Sequence, residues 1–193
     1  SEKILTTRKK ILWAVLDIIG REGFQKVTTR KIAAIADVNI AAVNYHFGSK
    51  DNAVNEALKN FIENLTNTVI CLEEIKIPAE QRLENFLICY AEVALEYPDV
   101  FKNFVYHAIN EPSTSFEFID FMKRIGWEKI KDTIKEITHI ENDKILTMKC
   151  FQMICCVEFP VLLGNQMKWS FDYQDKKSRC EYLSLLLKSV LYS

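Results

Sequence analysis

The residues best suited to binding chemistry are concentrated between positions 28 and 50. Thr28 or Thr29 can cap a short helical segment, TRKIAAIA, whose first turn carries Arg30 and Lys31. Positive charges at a helix start oppose the helix dipole, so helix stability does not explain them. A bound phosphate does explain them, because the free backbone N–H groups of a helix start also attract anions. The sequence therefore predicts a phosphate at the start of this helix.

A second short segment, IAAVNYHF, follows after a break of three residues. Asp37 tolerates the left-handed backbone of such a break better than most residues, and Asn39 is a good N-cap for the next helix. Two short helices joined in this way form a helix-turn-helix. Val43 is the apolar position expected to face the core. The other side chains of the second helix face outward or sideways: Ile40, Ala41, Ala42, Asn44, Tyr45 and His46.

These outward side chains have the types that a recognition helix needs in the DNA major groove. Ala41 and Ala42 permit close approach and can touch a thymine methyl group. Asn44 can bind adenine or a phosphate. We expect Tyr45, His46 and Lys50 to hold the DNA backbone.

Charge is distributed unevenly in a chain of 193 residues whose net charge is −1. Residues 1–50 contain nine Lys/Arg and four Asp/Glu, a formal charge of +5, whereas residues 51–193 carry −6. A basic head on an acidic body indicates a polyanionic partner for the head alone.

Composition excludes several other classes. Five glycines and four prolines are too few for the turns of an all-β domain, and no G-x-G-x-x-G or Walker-type loop is present. We find no apolar run long enough for a transmembrane helix and no signal-peptide core, and we expect a cytoplasmic protein that uses no cofactor. Its six cysteines are then expected to be thiols.

Apolar spacing predicts helices throughout the chain. The segments are 8–22, the two short helices, a helix capped by Ser49 that runs to about Leu72, 79–96, and a helix from Pro98 to about 110. Beyond a loop at 111–113 they are 115–138, 143–163 and 175–192, with a further loop at 165–173. Leu183, Leu186, Leu187, Val190 and Leu191 share one face of the last helix.

The stretch from Ile11 to Val54 resembles the DNA-binding head of the TetR/AcrR family of bacterial transcriptional regulators. The similarity depends on Gly23-Phe24, Thr28-Thr29, Ile32-Ala33, Val38 and above all on the run VNYHFGSK at 43–50. It implies an all-α homodimer of about nine helices per chain. Residues 1–48 would form a three-helix DNA-binding domain, and residues 49–193 would bind a small-molecule effector and dimerise through the last two helices.

The resemblance also implies roles for individual residues. Thr28, Thr29 and Arg30 would contact phosphates, and Asn39, Ile40, Ala41, Ala42 and Asn44 would face bases. Three positions depart from the family pattern. Asp37 replaces the usual turn glycine, Asn44 stands where an aromatic residue is common, and Trp13 occupies a usually polar position.

A ligand pocket in the body would be lined by aromatic residues, although most of them are also expected in a simple core. Glu158 is a candidate polar anchor for a ligand, such as a cation, or else part of a dimer seam or an exposed edge, because a buried carboxylate is costly unless it is paired. The candidate ligand residues are Phe86, Tyr90, Phe104, Phe121, Trp127, Phe151 and Glu158.

No cysteine or histidine spacing indicates a metal site, since Cys155 and Cys156 are adjacent and no Cys-x-x-Cys occurs. A redox role for the thiols stays open, although Cys150, Cys155 and Cys156 lie in an apolar run rather than in basic surroundings. No catalytic constellation is visible, so we do not expect an enzyme. The favoured function is a ligand-released transcriptional repressor, and the alternative is an architectural DNA-binding protein without an effector.

Overall fold

The computed structural model describes residues 6–102, 105, 126–164 and 171–192. Within these ranges the secondary structure is helical, with no strand. Eight α-helices have both ends there: α1 (Thr7–Glu22), α2 (Thr29–Ala36), α3 (Ile40–Phe47), α4 (Lys50–Asn67), α5 (Ala79–Glu96), α6 (Trp127–Thr138), α7 (Asp143–Leu163) and α8 (Lys176–Leu191). Residues 98–102 are also helical. The predicted all-α fold is confirmed.

Helices α1 to α3 form the head. The apolar face of α1, which includes Ile11, Val15 and Ile19, is completely buried. Gly23 ends α1 with a φ of 87°, and its N–H donates to the carbonyl of Ile19 at 2.9 Å. Gly can adopt this backbone without steric cost, which explains why the helix stops here.

Helix α4 joins the head to the body and ends earlier than predicted. The α-helix stops at Asn67 instead of running to Leu72, and a 3₁₀ segment covers Thr68–Glu73. The hydroxyl of Thr68 donates to the carbonyl of Leu65 at 2.6 Å. A side chain that takes a helix carbonyl competes with the backbone ladder, and the β-branched run Thr68-Val69-Ile70 weakens the helix further.

The body packs α5 to α8 around one apolar core. Phe86, Tyr90 and Phe101 are among its largest fully buried side chains. In α8, Leu183, Leu187, Val190 and Leu191 are buried in the core of the same chain, and Leu186 is half-buried. The leucine face predicted in the last helix therefore stabilises the protomer itself.

Helix α7 is apolar on more than one side. By length and composition alone it could cross a membrane, but nearly half of the relevant window is buried inside the protein. Its buried face includes Leu146, Met153 and Val157. Its outer face exposes the apolar side chains of Ile145, Met148, Phe151 and Phe159. The apolar composition of α7 thus reflects one face in the core and a second face at the surface.

Residues 103–104 and 106–125 lie outside the description, as do residues 165–170. The predicted loop at 111–113 and the candidate ligand residues Phe104 and Phe121 fall on these segments. Of the predicted helix 115–138, the described part is α6.

Candidate nucleic-acid interface

The start of α2 presents polar and basic side chains to solvent. Thr28 is the N-cap, and its Oγ1 accepts the N–H of Lys31 at 3.2 Å. Thr28 and Arg30 are exposed, and Thr29 is half-buried between them. The Lys31 ammonium instead pairs with Glu22 at 2.5 Å. Arg30 is therefore the basic side chain of this turn that is best placed to reach a phosphate.

The turn between α2 and α3 has the predicted geometry. Asp37 adopts a left-handed backbone with φ 54° and ψ 53°, and it is the C-cap of α2. Two residues later, Oδ1 of Asn39 accepts the N–H of Ala42 at 2.7 Å and caps α3. The Oδ1 atom of Asn39 is thus occupied by the helix start, and the residue is exposed to solvent.

Helix α3 is divided into an inner and an outer face. Val43 and Phe47 are buried against the head, whereas Ala41 and Asn44 are exposed. The side chain of Tyr45 is 86% exposed, and the apolar side chain of Ile40 is 48% exposed. Ala42 and His46 are half-buried at the margins. A helix that turns these side chains to water has the surface that a major groove can accept.

The C-terminal end of α3 is fixed by several side chains. Ser49 caps α4 through the N–H of Asn52 at 3.1 Å, and the Asn52 amide donates to the carbonyl of Phe47 at 3.0 Å. Lys50 lies at this junction, with its Nζ 3.3 Å from Asp51. The Lys50 side chain is half-buried.

Sequence reasoning missed the role of Arg8. The Arg8 guanidinium lies 5.2 Å from the centre of the Phe47 ring and pairs with Glu56 of α4. Arg8 therefore ties α1 to α3 and α4, a cation–π and ion-pair contact that no sequence motif reveals.

In the body, two of the candidate ligand residues are joined directly. The Tyr90 hydroxyl donates to Oε1 of Glu158 at 2.7 Å. Burial raises the pKa of Glu158, and the hydrogen bond from Tyr90 opposes that rise. Burial, together with the adjacent carboxylate, raises the pKa of Tyr90 well above its ordinary value. Among the described residues, Glu158 thus has a tyrosine and no cation as its partner.

The remaining candidates in the described body lie in different surroundings. Phe86 is buried with its ring centre 5.8 Å from that of Tyr90. Trp127 packs edge-on against Phe151 at 4.7 Å, and Phe151 is 57% exposed on the outer face of α7. Phe86, Tyr90 and Glu158 therefore form one group and Trp127 with Phe151 another. In the part of the chain that the structure describes, no cluster of three or more His, Cys, Asp or Glu side chains is arranged to hold a metal ion.

The head geometry defines a helix-turn-helix protein. The family model for bacterial regulatory proteins of the tetR family matches residues 11–57, which is the segment from α1 into α4. This match covers the head, about a quarter of the chain, and makes the head similar to the DNA-binding segment of these transcriptional regulators.

Two relatives in Bacillus subtilis (strain 168) are similar to parts of the chain. YttP, described as a probable HTH-type transcriptional regulator, is 29% identical over 65 residues, which is 34% of this chain and 31% of that protein. The chain therefore matches about a third of the length of YttP. YvkB, an uncharacterized HTH-type transcriptional regulator, is 23% identical over 146 residues, which is 70% of this chain and 76% of that protein.

Solved structures share the fold along nearly the whole chain. The TetR family transcriptional regulator PfmR from Thermus thermophilus has a TM-score of 0.68 at 15% identity and covers 92% of this chain and 97% of its own. A protein from Saccharomonospora viridis, crystallised in complex with choline, has a TM-score of 0.65 at 20% identity and covers 90% and 93%. At these identities the similarity shows the fold alone.

Proposed function

We propose that this chain is a ligand-responsive repressor that binds a palindromic DNA operator as a homodimer in the cytoplasm. Residues 1–48 bind DNA, and residues 49–193 dimerise and bind the effector. The observation that carries the proposal is the outer face of α3, where Ala41, Asn44 and Tyr45 are exposed beside a helix start that favours phosphate.

The head supplies two kinds of contact. Thr28, Thr29 and Arg30 hold one stretch of DNA backbone at the start of α2. Tyr45, His46 and Lys50 hold another at the end of α3. Between these two anchors, the short side chains of α3 and the amides of Asn39 and Asn44 meet base edges. Backbone contacts fix the register, and base contacts supply sequence preference.

The homodimer is supported by the second apolar face of α7. Ile145, Met148, Phe151 and Phe159 recur at helical spacing and are 41–57% exposed, and Leu185 on α8 is 68% exposed. Apolar side chains aligned along one face indicate an interface between proteins. A twofold axis through α7 and α8 brings the same face of a second copy against it. The two α3 helices then read half-sites about 34–36 Å apart, or a multiple of that distance.

A single substitution in this face tests the dimer. Phe159→Glu places a charge on the apolar face and is expected to give monomers in analytical ultracentrifugation, together with loss of operator binding. Ile75→Glu is the matched control, because Ile75 is 85% exposed but lies outside the face. If the Phe159→Glu variant remains a dimer, as the Ile75→Glu variant is expected to do, the interface lies elsewhere.

The effector site is proposed at Tyr90 and Glu158, with Phe86 beside them. Within the described residues this half-buried carboxylate has a neutral hydroxyl as its partner. Such a site favours a cationic ligand, because the ligand would offset the cost of burying the charge. The likeness to a choline-bound structure makes choline a sensible probe. An effector acts only by binding two states of the dimer with different affinity.

A DNA-binding measurement tests the proposed function directly. Duplexes bound by the purified protein are selected from a random library, and the enriched sequence is measured by fluorescence anisotropy at two salt concentrations with random DNA as competitor. We expect an inverted repeat and competitor-resistant binding. Binding that is equally tight to random DNA contradicts an operator-specific regulator.

The same complex tests the effector. Choline is expected to lower operator affinity of the native chain, and Glu158→Gln is expected to weaken that response at least tenfold without changing affinity in the absence of choline. No response, or an equal response in both proteins, rejects a cation at Glu158.

The architectural alternative has one observation in its favour. Phe86, Tyr90 and Phe101 fill the core of the body themselves. This candidate predicts operator binding that is unchanged by any co-purified small molecule. Native mass spectrometry distinguishes the two candidates, since a bound effector adds its mass to the protein.

A further inference from the structure

Two thiols meet where the segment that follows α4 packs against α5. Sγ of Cys71, in the 3₁₀ segment Thr68–Glu73, lies 3.7 Å from Sγ of Cys89 in α5. Both cysteines are free and half-buried. A disulfide bond is about 2.05 Å long, so the two sulfur atoms must approach each other by about 1.7 Å to form one.

The surroundings hold this segment of backbone against α5. The Arg82 guanidinium, on α5, donates to the carbonyl of Leu72 at 2.7 Å and to both carboxylate oxygens of Glu136 on α6 at 2.6 and 2.7 Å. Val69 and Leu72, on either side of Cys71, are buried in the core. The two thiols therefore stay neighbours although 18 positions separate them in the sequence.

We propose that Cys71 and Cys89 form an oxidisable dithiol, which hydrogen peroxide converts into an intramolecular disulfide that lowers the affinity of the head for DNA. The Cys71 thiolate attacks one peroxide oxygen, the O–O bond breaks, and Cys71 sulfenic acid and one water form. The Cys89 sulfur then attacks the Cys71 sulfur, the S–O bond breaks, and a second water leaves. Two thiols and one peroxide thus give one disulfide and two waters.

The order of these steps follows from the environment of Cys89. Burial, followed by the hydrogen bond with Cys71 and the charges of Cys71 and Glu92, raises the pKa of Cys89 to about 11, and Lys176 opposes this rise. A thiol with a raised pKa forms the reactive thiolate less readily, so the first reaction with peroxide is assigned to Cys71.

The bond matters for DNA because of where Cys71 lies. The 3₁₀ segment continues directly from α4, and the N-terminal half of α4 packs on the head through Ala53 and Ala57, which are buried. A contraction of about 1.7 Å just beyond the C-terminal end of α4 pulls on α4, the helix on which the head packs. This consequence depends on the proposed DNA-binding function, whereas the formation of the disulfide does not.

One experiment measures the formation of the disulfide and its effect on DNA affinity separately. The native chain is treated with hydrogen peroxide, then alkylated and digested without reductant, and the peptides are identified by mass spectrometry. In parallel, the operator dissociation constant is measured for the reduced, the oxidised and the re-reduced protein. We expect a Cys71–Cys89 peptide pair within one chain and an operator dissociation constant at least fivefold higher, restored by dithiothreitol.

Cysteine variants test whether the peroxide response depends on Cys71 and Cys89. Cys71→Ala and Cys89→Ala are expected to bind the operator normally and to lose the peroxide response, whereas Cys155→Ser, which removes an exposed thiol on α7, keeps it. The absence of a Cys71–Cys89 peptide in the native chain overturns the proposal. A disulfide with unchanged operator affinity, or a response that Cys155→Ser abolishes, overturns its regulatory part. Failure of the reduced protein to bind any operator is a failure of the proposed function instead.

Discussion

Gly20, in the last turn of α1, packs directly on Asp99 in the helical stretch that follows α5. A Cβ atom on Gly20 would lie 2.9 Å from Cβ of Asp99 and 3.1 Å from the backbone nitrogen of Val100. The backbone of the head thus approaches the body more closely than any side chain would allow. The head is held to the body at this contact as well as through α4.

The Gly20 contact predicts an unusual response to Gly20→Ala. Replacing a glycine by alanine inside a helix normally stabilises it by about 1 kcal/mol. Here the added methyl group meets backbone and a Cβ atom, so we expect a loss of about 1–3 kcal/mol in the free energy of unfolding. Urea unfolding measures it. Adding Asp99→Gly should recover part of the loss, and a more stable Gly20→Ala protein would contradict the close approach.

In contrast to Gly20→Ala, a substitution at Asp37 is expected to increase the stability of the chain. Its left-handed backbone, with φ 54°, is strained for a residue with a Cβ atom, so Asp37→Gly should stabilise the chain by about 0.5–1 kcal/mol. The same change removes a negative charge beside the DNA surface and should raise operator affinity severalfold at low salt. Asp37→Asn separates the two effects, because it removes the charge and keeps the side chain. Equal stability of all three proteins would show that the turn carries no strain.

Arg30 is expected to act on all DNA sequences alike. Arg30→Ala removes one phosphate contact, so affinity should fall for operator and random DNA, and the slope of log K against log salt should decrease by about one. Lys135→Ala, on α6 in the body, is the control of equal charge and should leave both quantities unchanged. If Arg30→Ala alters sequence preference and leaves the salt slope intact, the phosphate role is wrong.

Asn44 should behave differently, since its exposed amide lies on the outer face of α3. Asn44→Ala is expected to weaken operator binding by about 1–3 kcal/mol and to leave binding to random DNA and the salt slope nearly unchanged. Anisotropy with both DNAs provides the measurement. Equal losses on the two DNAs would reduce Asn44 to a backbone contact.

Local chemistry made the head predictable from sequence. Thr28, Asn39 and Ser49 each cap a helix through a hydrogen bond to the N–H three residues later. Such a contact is contained within a few residues, so the sequence displays both partners at once. The left-handed Asp37 is equally local, because a short break between two helices requires an unusual backbone there.

The body was less predictable because its decisive contacts join distant positions. Tyr90 and Glu158 are 68 residues apart, and neither position shows a motif. The leucine face of α8 could be recognised as apolar, but periodicity does not tell whether it packs on its own chain or on another. The early end of α4 depended on the Thr68 hydroxyl, whose choice of the Leu65 carbonyl is a three-dimensional outcome.

The Tyr90–Glu158 pair predicts a pH-dependent stability. Burial raises the pKa of Glu158 in the folded chain, so the folded state disfavours the carboxylate relative to the unfolded state. The protonated Glu158 carboxyl therefore contributes to the free energy of unfolding. This contribution is complete below the pKa that Glu158 has in the unfolded chain, and it is lost as the pH rises through the pKa in the folded chain. Each unit by which folding raises the pKa of Glu158 corresponds to about 1.4 kcal/mol in the free energy of unfolding.

Glu158→Gln isolates this effect, because glutamine does not titrate but can still accept the Tyr90 hydroxyl. We expect the native chain to become less stable relative to Glu158→Gln as the pH is raised from acid to neutral, measured by urea unfolding of both proteins at each pH. Tyr90→Phe removes the hydrogen bond that favours the carboxylate, so it should enlarge the pH-dependent loss. A difference between the native chain and Glu158→Gln that stays constant across this range would mean that the Glu158 carboxyl remains hydrated in the folded protein.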